Sequence, residues 1–481
     1  MWSFVPALLA SAVLGSCGKD ARESARPAED TAVEDTAAEG SPRFHGGLND
    51  LAQHAAVEVI GSLTPPAIAD LTGDGVPDYV FGFDRATVVA GPLPARVELM
   101  DDSDVVARIL EGEPAGNALD MAVGTTGDAS AVLALSDCYD PSPGDAEYCA
   151  TRVFSGPWGG ERVLGDTSGD SGPAAVIVAE DPTLLVGASL SWGDTDQDGS
   201  EDLLIGAPVL GRQWDQGVAF LLSAPLSGTY TAADADTVFV ANPGTAGLGH
   251  HVDVHGDYDG DGTRDAAVVA FYAHRRAADF QVFVMGGPFS AAVVCSADMD
   301  TRMDLRLGTH RAQVDLATGD YQGDGYDDLV VTSLTAERGQ MAVLVFPGPL
   351  PTHLGPTGAS VAIETEGGGI ATRDGASLGQ DLDADGRDDL VLGLPYYDTG
   401  EWGGGVFVFY APLSGHLAFT EADAQLRVRN EECSGRAGLG RVVPAGDLDG
   451  DGQEDFFTSG CGGFQADPSE LHTYGILGVG L

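Results

Sequence analysis

Positive charge is what this chain lacks most: 23 Lys and Arg stand against 74 Asp and Glu in 481 residues, a formal net charge of −51. A surface of that sign repels a phosphate backbone, so nucleic acid is not an expected partner. Long apolar runs are missing too. Beyond residue 17 none reaches the length a transmembrane helix requires. What the chain does have is a hydrophobic content of 43%, enough to bury a large core and to exclude wholesale disorder. Its 68 glycines and 26 prolines are spread along the whole length and favour many short strands joined by tight turns. The expected class is all-β.

Phe4 to Leu14 is mostly apolar, too short to span a bilayer, and leads into Leu14-Gly15-Ser16-Cys17. This resembles a bacterial lipobox, which implies export, cleavage before Cys17 and a lipid on its sulfur. Residues 1–17 are therefore read as a signal peptide with lipobox. Residues 18–50, with almost no large apolar side chains, are read as a disordered acidic linker. The expected location is the cell envelope, as an outer-membrane lipoprotein facing the periplasm or the cell surface, with Cys17 the only membrane anchor. In that oxidising setting Cys138 and Cys149 flank a loop short enough to close as a hairpin disulfide, and Cys433 and Cys461 form a plausible second pair. Cys295 is left over and is expected to be a small buried hydrophobe.

Residues 51–481 carry an internal repeat. Six segments share a nine-residue form: DLTGDGVPD at 70–78, DTDQDGSED at 194–202, DYDGDGTRD at 257–265, DYQGDGYDD at 320–328, DLDADGRDD at 381–389 and DLDGDGQED at 447–455. The last five begin 63, 63, 61 and 66 residues apart, and the first gap is 124, so one unit is hidden in it. That unit lies near Gly124 to Leu135, where the aspartates are lost. Each unit supplies four strand-like stretches, and the second after the aspartate loop ends in a Gly-Pro or Ala-Pro turn at 91, 224, 287, 348 and 411. Seven such units predict a seven-bladed β-propeller of four-stranded antiparallel blades. The chain opens with one extra strand, Val57 to Ser62, and ends after what reads as a third strand. Val57 to Ser62 is therefore expected to complete the last blade and close the ring.

The loop chemistry points to calcium. A hard divalent cation takes six to eight oxygen ligands, and side chains at positions 1, 3, 5 and 9 with the main-chain carbonyl at position 7 can converge on one ion where the chain turns at the glycine of position 6. The candidate ligands are Asp70, Thr72, Asp74, Val76 and Asp78 in the first loop, then Asp194, Asp196, Asp198, Ser200 and Asp202. Next come Asp257, Asp259, Asp261, Thr263 and Asp265, followed by Asp320, Gln322, Asp324, Tyr326 and Asp328. The last two sets are Asp381, Asp383, Asp385, Arg387 and Asp389, and Asp447, Asp449, Asp451, Gln453 and Asp455. About six calcium ions are expected, held more weakly where Thr72 and Gln322 replace an aspartate. An EF-hand is excluded: it needs a bidentate Glu at position 12, where this chain has Phe81, Ile205, Val268, Val331, Leu392 or Thr458.

The D-x-D-x-D-G-x-x-D form, followed by LLIGAP at 203–208 or LVLGLP at 390–395 and preceded by GLGHHVDVHGD or GLGRVVPAGD, resembles the FG-GAP repeat of integrin α-subunits and their bacterial relatives. The resemblance covers nearly everything after residue 50, the second unit departing from it. It implies metal loops on the lower face that stiffen the propeller, a ligand-binding upper face, and a role in adhesion or in recognising an extracellular or envelope protein or glycan. The upper face would be built from loops joining second and third strands. These hold Arg212, Trp214, Tyr272, Tyr396, Tyr397 and Trp402, together with Tyr139, His274, Arg275, Arg276 and Arg338. Aromatic and arginine side chains on loops are enriched at binding hot spots.

Catalysis is not expected. Gly169 to Pro173 reads GDSGP, like part of a serine-protease motif, but lacks credible His and Asp partners. His250, His251 and His255 cluster near one loop; two are adjacent and point to opposite faces of a strand, so they read as surface or core residues, not a zinc site. The alternative function is a calcium-dependent carbohydrate-active enzyme or lectin on the same fold, although so few basic residues argue against a polyuronate substrate. A purely structural surface protein is the third reading.

Overall fold

The computed structural model describes residues 48–50, 55–62, 66–82, 86–99, 105–110, 117–139, 148–156, 158, 160–163, 172–179, 183–209, 217–242, 247–271, 279–306, 314–333, 341–364, 375–398, 402–429, 441–459 and 472–478. They form seven antiparallel blades, each with a fifth, parallel strand at its outer edge.

Blade 3 shows the common plan. Ser189–Gly193, Asp202–Ala207, Val218–Leu222 and Thr237–Val240 pair antiparallel in chain order. The second strand reads DLLIGA and is buried at every position. Such a run lacks the polar alternation of a half-exposed strand because it packs against neighbouring blades on both faces. Blades 4, 5 and 6 repeat the plan, beginning with Gly247–Asp253, Val314–Gly319 and Ala376–Ser377. Blades 1 and 2 begin with Ala67–Ala69 and Asn117–Thr125. The hidden second unit is thus a real blade.

Blade 7 takes Val442–Gly446, Asp455–Ser459 and His472–Ile476 from the end of the sequence and Ala55–Ile60 from its beginning. Val59 pairs with Thr473 and Ile60 with His472.

The fifth strands were not expected. In each unit the connection between third and fourth strands runs parallel to the outer strand of the preceding blade: Arg96–Glu98 lies on Ala55–Ile60, and Gly415–Ala418 lies on Val361–Glu364. Leu48–Asp50 fills the same place on blade 6, parallel to Ala424–Arg429. This moves the boundary of the segment read as a linker: residues 48–50 already belong to the sheet, because main-chain pairing to an outer strand needs no apolar side chain.

Seven hydrophobic clusters sit between adjacent blades. One joins Trp192, Leu203 and Phe220 of blade 3 to Val132 and Val153 of blade 2. Another joins Val57, Val59 and Phe457 of blade 7 to Tyr79 and Phe81 of blade 1. The first strands of all seven blades line a central cavity of about 470 Å³. Polar side chains bridge neighbouring first strands there. Asp120 accepts the Leu190 N–H at 2.7 Å, and Ser189 and Ser191 accept the N–H groups of Val252 and Val254 at 3.1 and 3.0 Å.

Candidate metal centres

The nine-residue loops connect the first and second strands, so they all lie at one end of the blades. Each is wound around its first aspartate. Asp257 Oδ1 accepts the N–H of Gly260 at 2.7 Å and of Asp261 at 3.1 Å, while Oδ2 accepts that of Gly262 at 2.8 Å. Asp70, Asp320 and Asp447 repeat this within 0.1 Å. The winding requires left-handed backbone at positions 4 and 6. Glycine supplies it at position 6 of every loop, as at Gly262 with φ 89°, whereas at position 4 Gln197 and Ala384 adopt it with φ 61° and 58°. The aspartate at position 5 then accepts from the position-7 N–H, as Asp261 does from Thr263 at 2.8 Å.

Position 2 anchors the loop in the core. Tyr258 and Tyr321 are buried, their hydroxyls bonded to Thr318 at 2.8 Å and Ser360 at 2.6 Å; Leu71 and Leu382 are buried there as well. Position 9 is a second anchor. All six of its aspartates are buried, and each joins the loop to the turn after the third strand. Asp265 accepts the Tyr258 N–H at 2.8 Å on Oδ2 and the Gly287 N–H at 3.0 Å on Oδ1. Asp78, Asp202, Asp328, Asp389 and Asp455 bind Gly91, Ala224, Gly348, Ala411 and Gly478 in the same way.

Burial pushes these carboxyls up: Asp265 to about 7, Asp328 and Asp389 to about 8 and Asp455 to about 6, with neighbouring aspartates adding to the effect. A divalent cation among them would reverse the shift.

Four loops bring three carboxylates together with oxygens within 4.8 Å of one another: Asp194, Asp196 and Asp198; Asp257, Asp259 and Asp265; Asp381, Asp383 and Asp385; Asp447, Asp449 and Asp455. The loops with Thr72 and Gln322 form no such trio among the described residues. Asp194 Oδ1 is buried and has no hydrogen-bond partner. A carboxylate oxygen in that state is costly unless a cation completes it. The donors are hard oxygens throughout, which suits calcium better than a softer transition metal.

The second unit has a short turn in place of the loop. Thr126 donates to the Asp128 carboxylate at 2.7 Å and Ser130 N–H at 3.1 Å. Those bonds hold Asp128 below the usual carboxylate range.

Sequence reading missed a contact that runs between loops. The carboxylate at position 8 reaches the preceding blade: Asp327 accepts the Asp257 N–H at 2.8 Å, Asp388 the Asp320 N–H at 2.7 Å, and Glu454 the Asp381 N–H at 3.0 Å. Glu201 does the same to Thr125 at 2.7 Å. The recurring acid at position 8 was visible in the sequence, but its partner lies in another repeat.

Of the other candidate residues, Cys138 and Cys149 are bonded, directly opposite each other on adjacent strands. Cys295 is buried, as expected, but it is itself disulfide-bonded, which corrects its reading as a cysteine left over. Cys17, Cys433 and Cys461 lie outside the described residues, as do Arg212, Trp214, Tyr272, His274, Arg275, Arg276 and Arg338. Tyr139, Tyr396 and Tyr397 end second strands, and Trp402 begins a third. They stand at the opposite end of the blades from the aspartate loops. Gly169 to Ser171 lie outside the described residues as well.

The histidines separate. His250 meets Phe271 edge-on with ring centres 4.6 Å apart, and burial pushes its pKa down to about 4. His251 lies 3.4 Å from Asp315, and His255 lies 2.5 Å from Asp253, both on the central cavity. Ser191 is 3.3 Å from His255, but on the Nδ1 that Asp253 also uses, so the three do not form a Ser–His–Asp relay, which needs both ring nitrogens.

No protein-family model matches the chain, and no curated protein sequence does. Among solved structures it is similar to one described as the Dos1 propeller, at 8% identity and a TM-score of 0.44 over 88% of this chain and 94% of that one. It is also similar to Raptor from Chaetomium thermophilum, at 8% identity and a TM-score of 0.43 over 90% of this chain and 29% of that one.

Proposed function

We propose that this propeller is a calcium-binding module of the FG-GAP type, anchored at the cell envelope through Cys17, that recognises an extracellular or envelope protein or glycan. Calcium holds the loops at one end of the blades, and the opposite end meets the ligand. The observation that carries the metal reading is the carboxylate trio of Asp194, Asp196 and Asp198, with Asp194 Oδ1 buried and lacking a hydrogen-bond partner. A cation there meets an otherwise uncompensated desolvation cost. Three further loops place their carboxylates equally close. Stiffening is the expected effect: with position 2 in the core and position 9 tied to the next turn, an ion braces the junction of three strands in a blade.

Calorimetric titration of the EGTA-treated protein tests this reading. Uptake of about four to six ions, with a rise in thermal midpoint, supports it. No heat and no shift in midpoint would sink it. For the ligand face, alanine at Trp214 and Trp402 should abolish binding found on a glycan array or by cross-linking on cells. A bound glycan that the protein then cleaves would instead favour the carbohydrate-active alternative.

A further inference from the structure

Five of the metal loops are joined edge to edge. In blades 4 and 5 the contact is reciprocal: Asp327 Oδ2 accepts the Asp257 N–H at 2.8 Å, and the Asp327 N–H donates to the Asp257 carbonyl at 3.0 Å. Asp388 makes the same double bond to Asp320, at 2.7 and 3.1 Å. Glu454 accepts the Asp381 N–H at 3.0 Å, linking blades 7 and 6. Between blades 4 and 3 the link is main chain only, the Arg264 N–H donating to the Asp194 carbonyl at 3.3 Å, while the Arg264 side chain turns to Asp327 at 3.1 Å.

The two ends of each clasp sit at decisive places. One end is position 1, the aspartate around which the loop is wound. The other is position 8, between the carbonyl donor at position 7 and the buried carboxylate at position 9. An ion that fixes positions 7 and 9 of one loop therefore also fixes position 8, and with it the first ligand of the loop before.

The series has a break. Position 8 of blade 1 is Pro77, which has no N–H to donate and no carboxylate to accept with, so the Asp447 loop gains no such clasp from it. On its other side, blade 2 presents the short turn of Thr126 to Ser130.

We propose that the loops of blades 3 to 7 bind calcium cooperatively through these position-8 clasps, while the Asp70 loop of blade 1 binds independently. The proposal rests on the calcium reading above. The mechanism needs no large movement: ordering one loop lowers the ordering cost of its neighbour. Coupling should be weakest between blades 3 and 4, where the side-chain half of the clasp is missing.

Native mass spectrometry of the full chain across a free-calcium series reads this directly, because it counts ions per molecule. The wild type should show few molecules with two or three ions compared with independent filling. Asp388→Ala should weaken the coupled ions roughly fivefold or more and restore the intermediate species. Asp388→Asn keeps an oxygen for the Asp320 N–H and should recover most of the coupling. Pro77→Asp should draw the blade 1 ion into the cooperative set. Far-ultraviolet circular dichroism in EGTA identifies any variant that has simply unfolded, and Glu454→Ala then replaces it. Independent filling by the wild type, or Asp388→Ala and Glu454→Ala both filling like the wild type, would overturn the coupling while leaving the calcium reading intact. Absence of any bound ion would overturn the calcium reading itself.

Discussion

The carboxylate of Asp389 accepts the backbone N–H of Ala411 at 2.8 Å, so the last residue of an aspartate loop also holds the turn that ends the third strand of its blade. The same carboxylate accepts the Leu382 N–H at 2.9 Å. Both donors are buried, and neither finds another acceptor if the side chain is removed. Asp389→Ala should therefore cost about 2–4 kcal/mol with calcium or without it. Asp451 is exposed and accepts only from Gln453 at 2.8 Å within its own loop, so Asp451→Ala should be nearly silent in EGTA and lose much of the calcium-dependent gain. Denaturant melts of both variants, in EGTA and in calcium, separate the structural role of position 9 from the metal role of position 5.

Acidity follows from the same burial. In the metal-free protein Asp328 and Asp389 are pushed up to about 8 and Asp265 to about 7, against an unfolded value of 3.8. The folded state then binds more protons than the unfolded state between these limits, so stability is greatest at low pH and falls as pH rises through the folded values. In EGTA the thermal midpoint should drop from pH 5 to pH 8. If calcium binds the ionised carboxylates as proposed, saturating calcium should flatten or reverse that trend. A midpoint in EGTA that climbs over this range would mean that burial is not what dominates these groups.

Much of this architecture was legible in the chain, because the repeat announces itself through spacing. The glycine at position 6 marks a left-handed turn, the buried run after position 9 marks a second strand, and a gap twice the period located the blade whose aspartates are gone. What could not be read was anything requiring a partner in another repeat. Asp388 looks like one more acid of a metal loop until Asp320 is seen beside it. The fifth strands escaped for a related reason: Leu48–Asp50 and Arg96–Glu98 are short, with no apolar pattern of their own, and exist because an outer strand offers unpaired main chain. The same holds for His255, which lies on the cavity wall only because seven first strands meet around it.

Close approach between blades gives a sharper test of packing. A Cβ on Gly193 would stand 2.1 Å from the Val254 carbonyl oxygen of blade 4, a backbone atom that cannot move without dragging its strand. Gly193→Ala should destabilise by about 3 kcal/mol or more, as overpacking against a rigid neighbour does. Gly199, in the metal loop of the same blade, has nothing within 4 Å of that position but a φ of +85°. Its change to alanine meets strain alone and should cost about 1–2 kcal/mol. Comparable losses for the two would mean that the blades are less tightly apposed than these distances indicate.

The seam of blade 7 makes the last prediction. Ala55–Ile60 supplies main-chain partners to His472–Ile476, and its side chains bind across the join: Glu58 lies 3.0 Å from His472 and 2.9 Å from Arg96, and Thr473 donates to the Ser62 carbonyl at 3.1 Å. Val57, Val59 and Ile60 are buried. Losing three such side chains removes on the order of 5 kcal/mol of apolar burial, and it also bares a strand edge. A variant beginning at Gly61 should therefore aggregate or melt far below the full chain. A synthetic peptide spanning residues 48–62 should bind this shortened protein and restore its thermal midpoint, because the missing strand pairs by main-chain hydrogen bonds that need no covalent link. A peptide in which Val57 and Val59 are replaced by aspartate should fail, since its inward side chains would enter the cluster around Phe457 and Tyr79. Equal rescue by both peptides would show that the strand is held by its backbone alone and that the core beneath it contributes little.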